Sequence, residues 1–333
     1  GYTVRRLGIR MVDQPTAVLG AGSTPEHPQW FPGARLNIAE SCFGAPPEKE
    51  AIRYSRDGAL HAMTYGELRR QANRVANGLA AAGFNTGDRI AIAMPMNIEA
   101  VVAYLGIVLY GAVVVSIADS FAPDEIRTRM RIVGADAAFT QDVIWRGGRV
   151  LPMFDKLVAA GVDRAVVVDT GAGAALRSGD IAWSDFLGAD EEFEAVPREP
   201  GDHSNILFSS GTTGDPKAIP WTHVSPIKAA SDSHYHHDVH PADVVAWPTN
   251  LGWMMGPWLI YSSLMNCATM ALYDDVPTGV GFARFVEAAG VTVLGLVPSL
   301  VAAWRASRAV EGCDWSNIRV FSSTGETSNA DDM

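Results

Sequence analysis

The sequence predicts an α/β fold built from two layered units with mostly parallel sheets. Three observations lead there. Short continuous apolar runs rich in β-branched residues, at 90–93, 113–117 and 165–168, lack the alternation of a strand with one wet face and read as strands covered on both sides. Segments of helical periodicity stand between them, in the order that parallel strands joined by crossover helices require. The same alternation resumes after a charged, apolar-poor stretch near residue 190.

Residues 1–50 read as an extended arm, because Pro28, Pro32, Pro46 and Pro47 break any long element. The stretch from Trp30 and Phe31 to Asn37 is the expected aromatic anchor that pins this arm to the body. From Ala51 the rhythm is regular. Thr64 and Glu67 form a capping box, the hydroxyl and the carboxylate each satisfying a free N–H at the start of a helix. Leu68, Ala72, Val75, Ala76 and Leu79 then recur at helical spacing until Gly83. A strand at 90–93, a helix after Asn97, a strand at 113–117, a helix after Pro123, a strand at 137–139, a helix at 151–160 and a strand at 165–168 complete a first unit, 51–187. Residues 188–203, with Asp190, Glu191, Glu192 and two prolines, read as a connector. A second unit, 204–333, carries the strand 206–208 and further strands at 244–247, 269–273, 292–297 and 318–322.

Composition narrows the function. The 333 residues carry 26 basic and 37 acidic side chains, a net charge of -11, which excludes a general nucleic-acid binder and makes any basic cluster significant. Cys42, Cys267 and Cys313 are widely spaced, as in a reducing compartment and unlike a disulfide framework or zinc site. The first residues have no apolar signal segment and no stretch reaches membrane-spanning length, so a soluble cytoplasmic protein without membrane partners is expected. An oligomer remains open.

Ser209, Ser210, Gly211, Thr212, Thr213, Gly214, Asp215, Pro216 and Lys217 follow the apolar run 206–208. The glycines let backbone N–H groups turn toward a ligand, the hydroxyls add adjustable donors and Lys217 adds a full charge, so phosphate is the natural guest. This is not the P-loop of nucleotide hydrolases, which needs lysine directly after glycine. An ordinary polar surface turn is the plain alternative.

Arg146 and Arg149 flank a Gly-Gly turn after the strand 137–139, where two guanidinium groups can reach one phosphate cluster; two solvated surface arginines are the alternative. His236 and His240 would share a helix face, but no acidic or cysteine partner stands at a recognisable spacing, and no metal site is expected. Trp253, Met254 and Met255 lie between Gly252 and Gly256 as core or as a pocket wall. Thr324, Gly325, Glu326 and Thr327 end the last strand in a glycine-acid turn.

The string from Ser210 to Lys217 resembles the phosphate-loop signature of the adenylate-forming superfamily of acyl-CoA synthetases, peptide-synthetase adenylation domains and luciferases. From about Trp30 onward the chain is most similar to the acetyl-CoA synthetase branch. The resemblance implies an incomplete N-terminal domain of an adenylate-forming enzyme. It assigns Ser209 to Gly214 and Lys217 to the β and γ phosphates of Mg-ATP, with Lys217 and Thr212 positioning them for catalysis, and Gly325, Glu326 and Thr327 to adenine. It assigns Trp253, Met254, Met255 and Thr324 to the acyl pocket, and Arg146 and Arg149 to the phosphates of coenzyme A. Two methionines where the acetate enzymes have smaller residues leave the acid open, a short-chain one being expected.

The reaction so implied joins a carboxylic acid to ATP and then to coenzyme A, releasing pyrophosphate and AMP. The family's magnesium-binding glutamate, ribose aspartate and C-terminal domain with its adenylation lysine are expected beyond Met333. The chain is therefore expected to be a truncated portion, inactive alone. A non-catalytic nucleotide or coenzyme A binding module, and an adenylating subunit that loads a carrier thiol, are the alternatives.

Overall fold

The computed structural model describes residues 1–209 and 214–328. The strands β1 (Glu50–Arg56) and β2 (Ala59–Thr64) form a hairpin, and β3 (Arg89–Ala93), β4 (Val113–Ile117) and β5 (Ala137–Gln141) follow with helices between them. A second hairpin, β6 (Val143–Arg146) with β7 (Arg149–Pro152), precedes β8 (Arg164–Val168) and the short β9 (Ile181–Ala182). Next come β10 (His203–Phe208), β11 (Ala218–Thr222), β12 (Val244–Ala246), β13 (Thr269–Leu272), β14 (Val293–Leu296) and β15 (Val320–Ser323). They assemble into a seven-stranded sheet, β11-β10-β4-β3-β5-β8-β9, and a six-stranded sheet, β15-β14-β12-β13-β1-β2. All pairs in them are parallel except the edge pairs β10–β11 and β1–β2.

The central strands of both sheets are apolar on both faces, and their successive side chains enter different cores. Ile90 and Ile92 of β3 face a central helix layer while Ala91 and Ala93 face an outer one. In the other sheet Val245 points to the same central layer, and Val244 and Ala246 point away. The central layer comprises the helices Tyr65–Ala81, Ile98–Leu109, Ser225–His236 and Met255–Leu264. Pro123–Val133 and Met153–Ala160 cover the outside of the seven-stranded sheet, and Val280–Ala288 and Pro298–Ser307 cover the outside of the six-stranded one. The result is five layers, helix and sheet alternating. Ile98–Leu109 is buried along its whole length save Glu99, as a helix apolar on every side must be.

The capping box forms as expected, Thr64 Oγ1 accepting from Glu67 N and Glu67 Oε2 accepting from Thr64 N. Two features differ from the expectation, and the anchor stretch acts through one of its two aromatics. The cut at 188–203 does not separate the two sheets: β1 and β2 join strands from the far half of the chain, while β10 and β11 join those of the near half. The connector itself is laid along the helix Tyr65–Ala81, where Asn73, Arg74 and Asn77 donate to the carbonyls of Glu191, Gly188, Asp190 and Glu192. Phe31, 6% exposed, anchors the arm; Trp30 is 42% exposed.

Two buried polar groups hold irregular segments in place. His223 Nδ1 accepts from Ile38 N at 3.1 Å, fixing the arm to the turn after β11. Burial, helped by nearby Arg198 and opposed by Asp202, lowers the imidazole from 6.5 to about 4. Asp142, at the start of the β6–β7 hairpin, accepts from the backbone N–H of Val143, Thr170, Ala172 and Gly173. Burial alone would raise its pKa, but these bonds and the one from the Thr170 hydroxyl outweigh it and hold the carboxyl below its ordinary value.

Two stability predictions result. Because the folded state keeps His223 neutral, its contribution is complete above pH 6.5 and is lost as pH falls toward 4, a change of up to about 3 kcal/mol. Urea unfolding at a series of pH values checks this; a His223→Asn variant with an undiminished slope over that window would refute it. Asp142→Ala strands several backbone donors and should cost about 2–4 kcal/mol. The native carboxylate's contribution is present above about pH 4 and lost below it, so unfolding curves of the two proteins should converge in acid.

Candidate active site

Ligands of open α/β sheets collect outside the carboxyl ends of the strands. In this fold the carboxyl ends of the two sheets meet along one crevice. Asn250, beyond β12, donates from Nδ2 to Oδ1 of Asp119, beyond β4, at 3.3 Å. Gly252 lies against the backbone of Ala118 so closely that a Cβ on it would stand 2.3 Å from Ala118 N, and only glycine permits the approach. Farther along, Gly147 N of the β6–β7 hairpin donates to Asp275 Oδ1, beyond β13, at 2.7 Å.

At one end stands the base of the expected phosphate loop. Ser209 N donates to Lys217 O at 3.0 Å, and Lys217 N donates to Ser209 Oγ at 3.4 Å, closing the β10–β11 connection. Gly214 and Lys217 are exposed, and Asp215 pairs with Arg131 at 3.2 Å. Ser210, Gly211, Thr212 and Thr213 lie outside the described residues. Thr324, Gly325, Glu326 and Thr327 follow β15 and are exposed. The Glu326 carboxylate accepts from Ser299 N and Ser299 Oγ, both at 2.9 Å, so it caps the helix Pro298–Ser307 and stiffens the turn from beneath.

The hairpin arginines stand opposite each other across a two-residue turn, Gly147 and Gly148, whose φ angles of 57° and 71° suit a tight hairpin. Arg149 is exposed. Arg146 Nη2 donates to Oδ2 of Asp119 at 2.6 Å, and the Asp119 side chain is 1% exposed. Lys156 joins them, Nζ donating to the Asp119 carbonyl at 2.7 Å. Burial holds the Lys156 ammonium below its ordinary pKa; Asp119 opposes this and Arg146 reinforces it. Neither Asp119 nor Lys156 was expected from the sequence, where only the acid directly behind a continuous apolar strand stood as a signal.

Trp253, 47% exposed, meets Phe121 edge-on with ring centroids 6.0 Å apart, and the Arg129 guanidinium sits 3.8 Å over the Phe121 ring. Met254 is exposed and Met255 opens the helix Met255–Leu264. Thr324 reaches the crevice from β15, two places from β12 in the sheet. A cavity of about 830 Å³ lies at the other end, beneath the carboxyl ends of β3, β5, β8, β13 and β1. Arg146 and Gly148 belong to its wall, with Tyr54, Trp145 and Tyr273; Lys217, Gly325 and Trp253 do not.

The helix Ser225–His236 ends before His240, which instead pairs with Asp238 at 2.7 Å, so His236 and His240 share no helix face. Among the described residues no cluster of His, Cys, Asp and Glu is arranged to hold a metal ion, and no helix is long and apolar enough to cross a membrane.

The chain is similar to a probable acyl-activating enzyme 17, peroxisomal, of Arabidopsis thaliana, at 48% identity over 98% of this chain and 48% of the relative. It is 48% identical to hexanoyl-CoA synthase of Cannabis sativa, over 93% of this chain and 45% of that one. An acetyl-coenzyme A synthetase of Streptomyces avermitilis is 32% identical over 95% of this chain and 52% of its own. Among solved structures, acetoacetyl-CoA synthetase from Streptomyces lividans superposes with a TM-score of 0.91 at 29% identity, over 99% of this chain and 53% of that one. The chain thus spans about half the length of the relatives it matches. With the AMP-binding enzyme family model matching residues 39–333 on this two-sheet crevice, the chain belongs to the AMP-binding enzyme family.

Proposed function

We propose that the chain forms the nucleotide- and thiol-binding part of an AMP-forming acyl-CoA synthetase. The family match over 39–333 carries this reading. It is supported by the crevice, where the loop base at Lys217, the turn at Gly325, the Trp253 wall and the arginine hairpin all lie at carboxyl ends of strands.

On this reading a carboxylate oxygen attacks the α-phosphorus of ATP, forming the acyl-adenylate and expelling pyrophosphate. The thiol of coenzyme A then attacks the acyl carbonyl and AMP departs. The protein supplies positioning and charge neutralisation. Lys217 and the loop from Ser209 to Gly214, Thr212 included, hold the β and γ phosphates. Gly325 and Thr327 carry the adenine on a turn braced by Glu326. Arg146 and Arg149 take the coenzyme A phosphates. Trp253, Met254, Met255 and Thr324 bound the acyl group, and the wall at Gly252 and Trp253 also lines the passage that admits the pantetheine arm of coenzyme A. Magnesium is taken to enter with ATP as its counter-ion.

The acid is a short- to medium-chain one. Adaptable methionines suit an acyl tail longer than acetate, in keeping with the relative named hexanoyl-CoA synthase. The cytoplasmic expectation is not supported, since one relative is named peroxisomal.

Calorimetric titration of the chain with ATP and with coenzyme A tests the assignment. Lys217→Ala should weaken ATP and spare coenzyme A. Arg146→Ala or Arg149→Ala should weaken coenzyme A about tenfold or more, as loss of a charge-assisted hydrogen bond does, and leave ATP unchanged. A wild-type chain that binds neither ligand would overturn the reading.

A further inference from the structure

One buried carboxylate at the middle of the crevice has no part in the assignments above. Asp119 receives three tethers from three different elements: Arg146 of the hairpin, Asn250 of the segment beyond β12, and Lys156 of the helix Met153–Ala160. Two of the three are cations in a chain with a net charge of -11. A buried ion pair roughly breaks even against its desolvation, so stability alone does not account for the arrangement.

Its consequence is geometric. A guanidinium group carries its five N–H donors in a rigid fork. With Nη2 engaged by Asp119 Oδ2, one corner of the Arg146 fork is anchored and its other donors stay available, while the same side chain forms part of the wall of the adjoining cavity. The other carboxylate oxygen accepts from Asn250, which in turn accepts from Gly252 N on Oδ1 at 2.9 Å and from Trp253 N on its carbonyl at 3.3 Å. One side chain therefore sets both the aim of the arginine and the position of the tryptophan wall.

We propose that Asp119 is the positioning residue of the coenzyme A half of the crevice. It holds Arg146 aimed at a phosphate of the ligand and keeps the Gly252–Trp253 wall in register with it, while Lys156 braces the Asp119 backbone. This rests on the reading that the chain binds coenzyme A; Asp119 itself does not touch the ligand. The opposing idea, that Asp119 merely competes with phosphate for Arg146, predicts a change of opposite sign.

Calorimetry on the chain separates them, with coenzyme A, adenosine 3′,5′-bisphosphate and ATP as probes. Positioning predicts that Asp119→Asn weakens coenzyme A and the bisphosphate about tenfold, with ATP changed less than about twofold. Asn250→Ala, which leaves the carboxylate and Arg146 paired, should weaken coenzyme A but not the bisphosphate, and it carries the test should Asp119→Asn not fold. Tighter or unchanged coenzyme A binding by Asp119→Asn, or an Asn250→Ala variant that binds every probe as the wild type does, overturns the proposal. A wild-type chain that fails to bind coenzyme A overturns the underlying reading and this proposal with it.

Discussion

The close approach of the two sheets at Gly252 and Ala118 is the constraint on which the rest depends. Backbone meets backbone there with no room for a single carbon between them, and the Asp119–Asn250 bond seals the junction from the side. The candidate site segments are hung from strand ends to one side or the other of that contact. A shift of the two sheets would move the hairpin arginines, the Trp253 segment and the turn at Gly325 relative to one another without breaking any of them individually. Rigid elements carrying short terminal segments are how a site of this kind keeps its geometry.

The electrostatics follow the same plan. An acidic protein must localise its cations to hold anions, and two basic groups of the crevice are braced by one residue. Arg146 leans on Asp119 and Lys156 on the same residue's carbonyl. Glu326 shows the converse economy: an acid in a segment read as adenine-binding spends its carboxylate on the first turn of a neighbouring helix. A side chain's place in a recognisable string therefore does not by itself say which way its polar atoms face.

Much of the fold was legible because it is local. The apolar runs at 90–93 and 113–117 became β3 and β4, the capping box at Thr64 and Glu67 formed, and the Gly-Gly turn brought Arg146 and Arg149 face to face. What could not be read is what depends on partners distant in the chain. No pattern within β1 announces that it will pair with β13, so the connector was mistaken for the boundary between sheets. Asp119 and Lys156 likewise acquire meaning only when a helix and a strand end are folded together. Phe31 and Trp30 are adjacent aromatics, and which of them turns inward is set by the backbone, with Phe31 at a φ of 52°.

The pairing of β1 with β13 has a consequence for how the molecule comes to exist. Thr269 Oγ1 donates to the carbonyl of Glu50 across 219 residues of chain. A ribosome delivers the hairpin β1–β2 long before its neighbour, so that hairpin waits with one edge unsatisfied until the 219 residues between Glu50 and Thr269 have followed. Long-range pairings of this sort are slow to form and leave strand edges open to other chains meanwhile. The charged and polar side chains along β1 and β2, among them Arg53, Arg56 and His61, give the hairpin a protection against self-association while it waits, and β2 keeps that protection as the edge strand of the finished sheet.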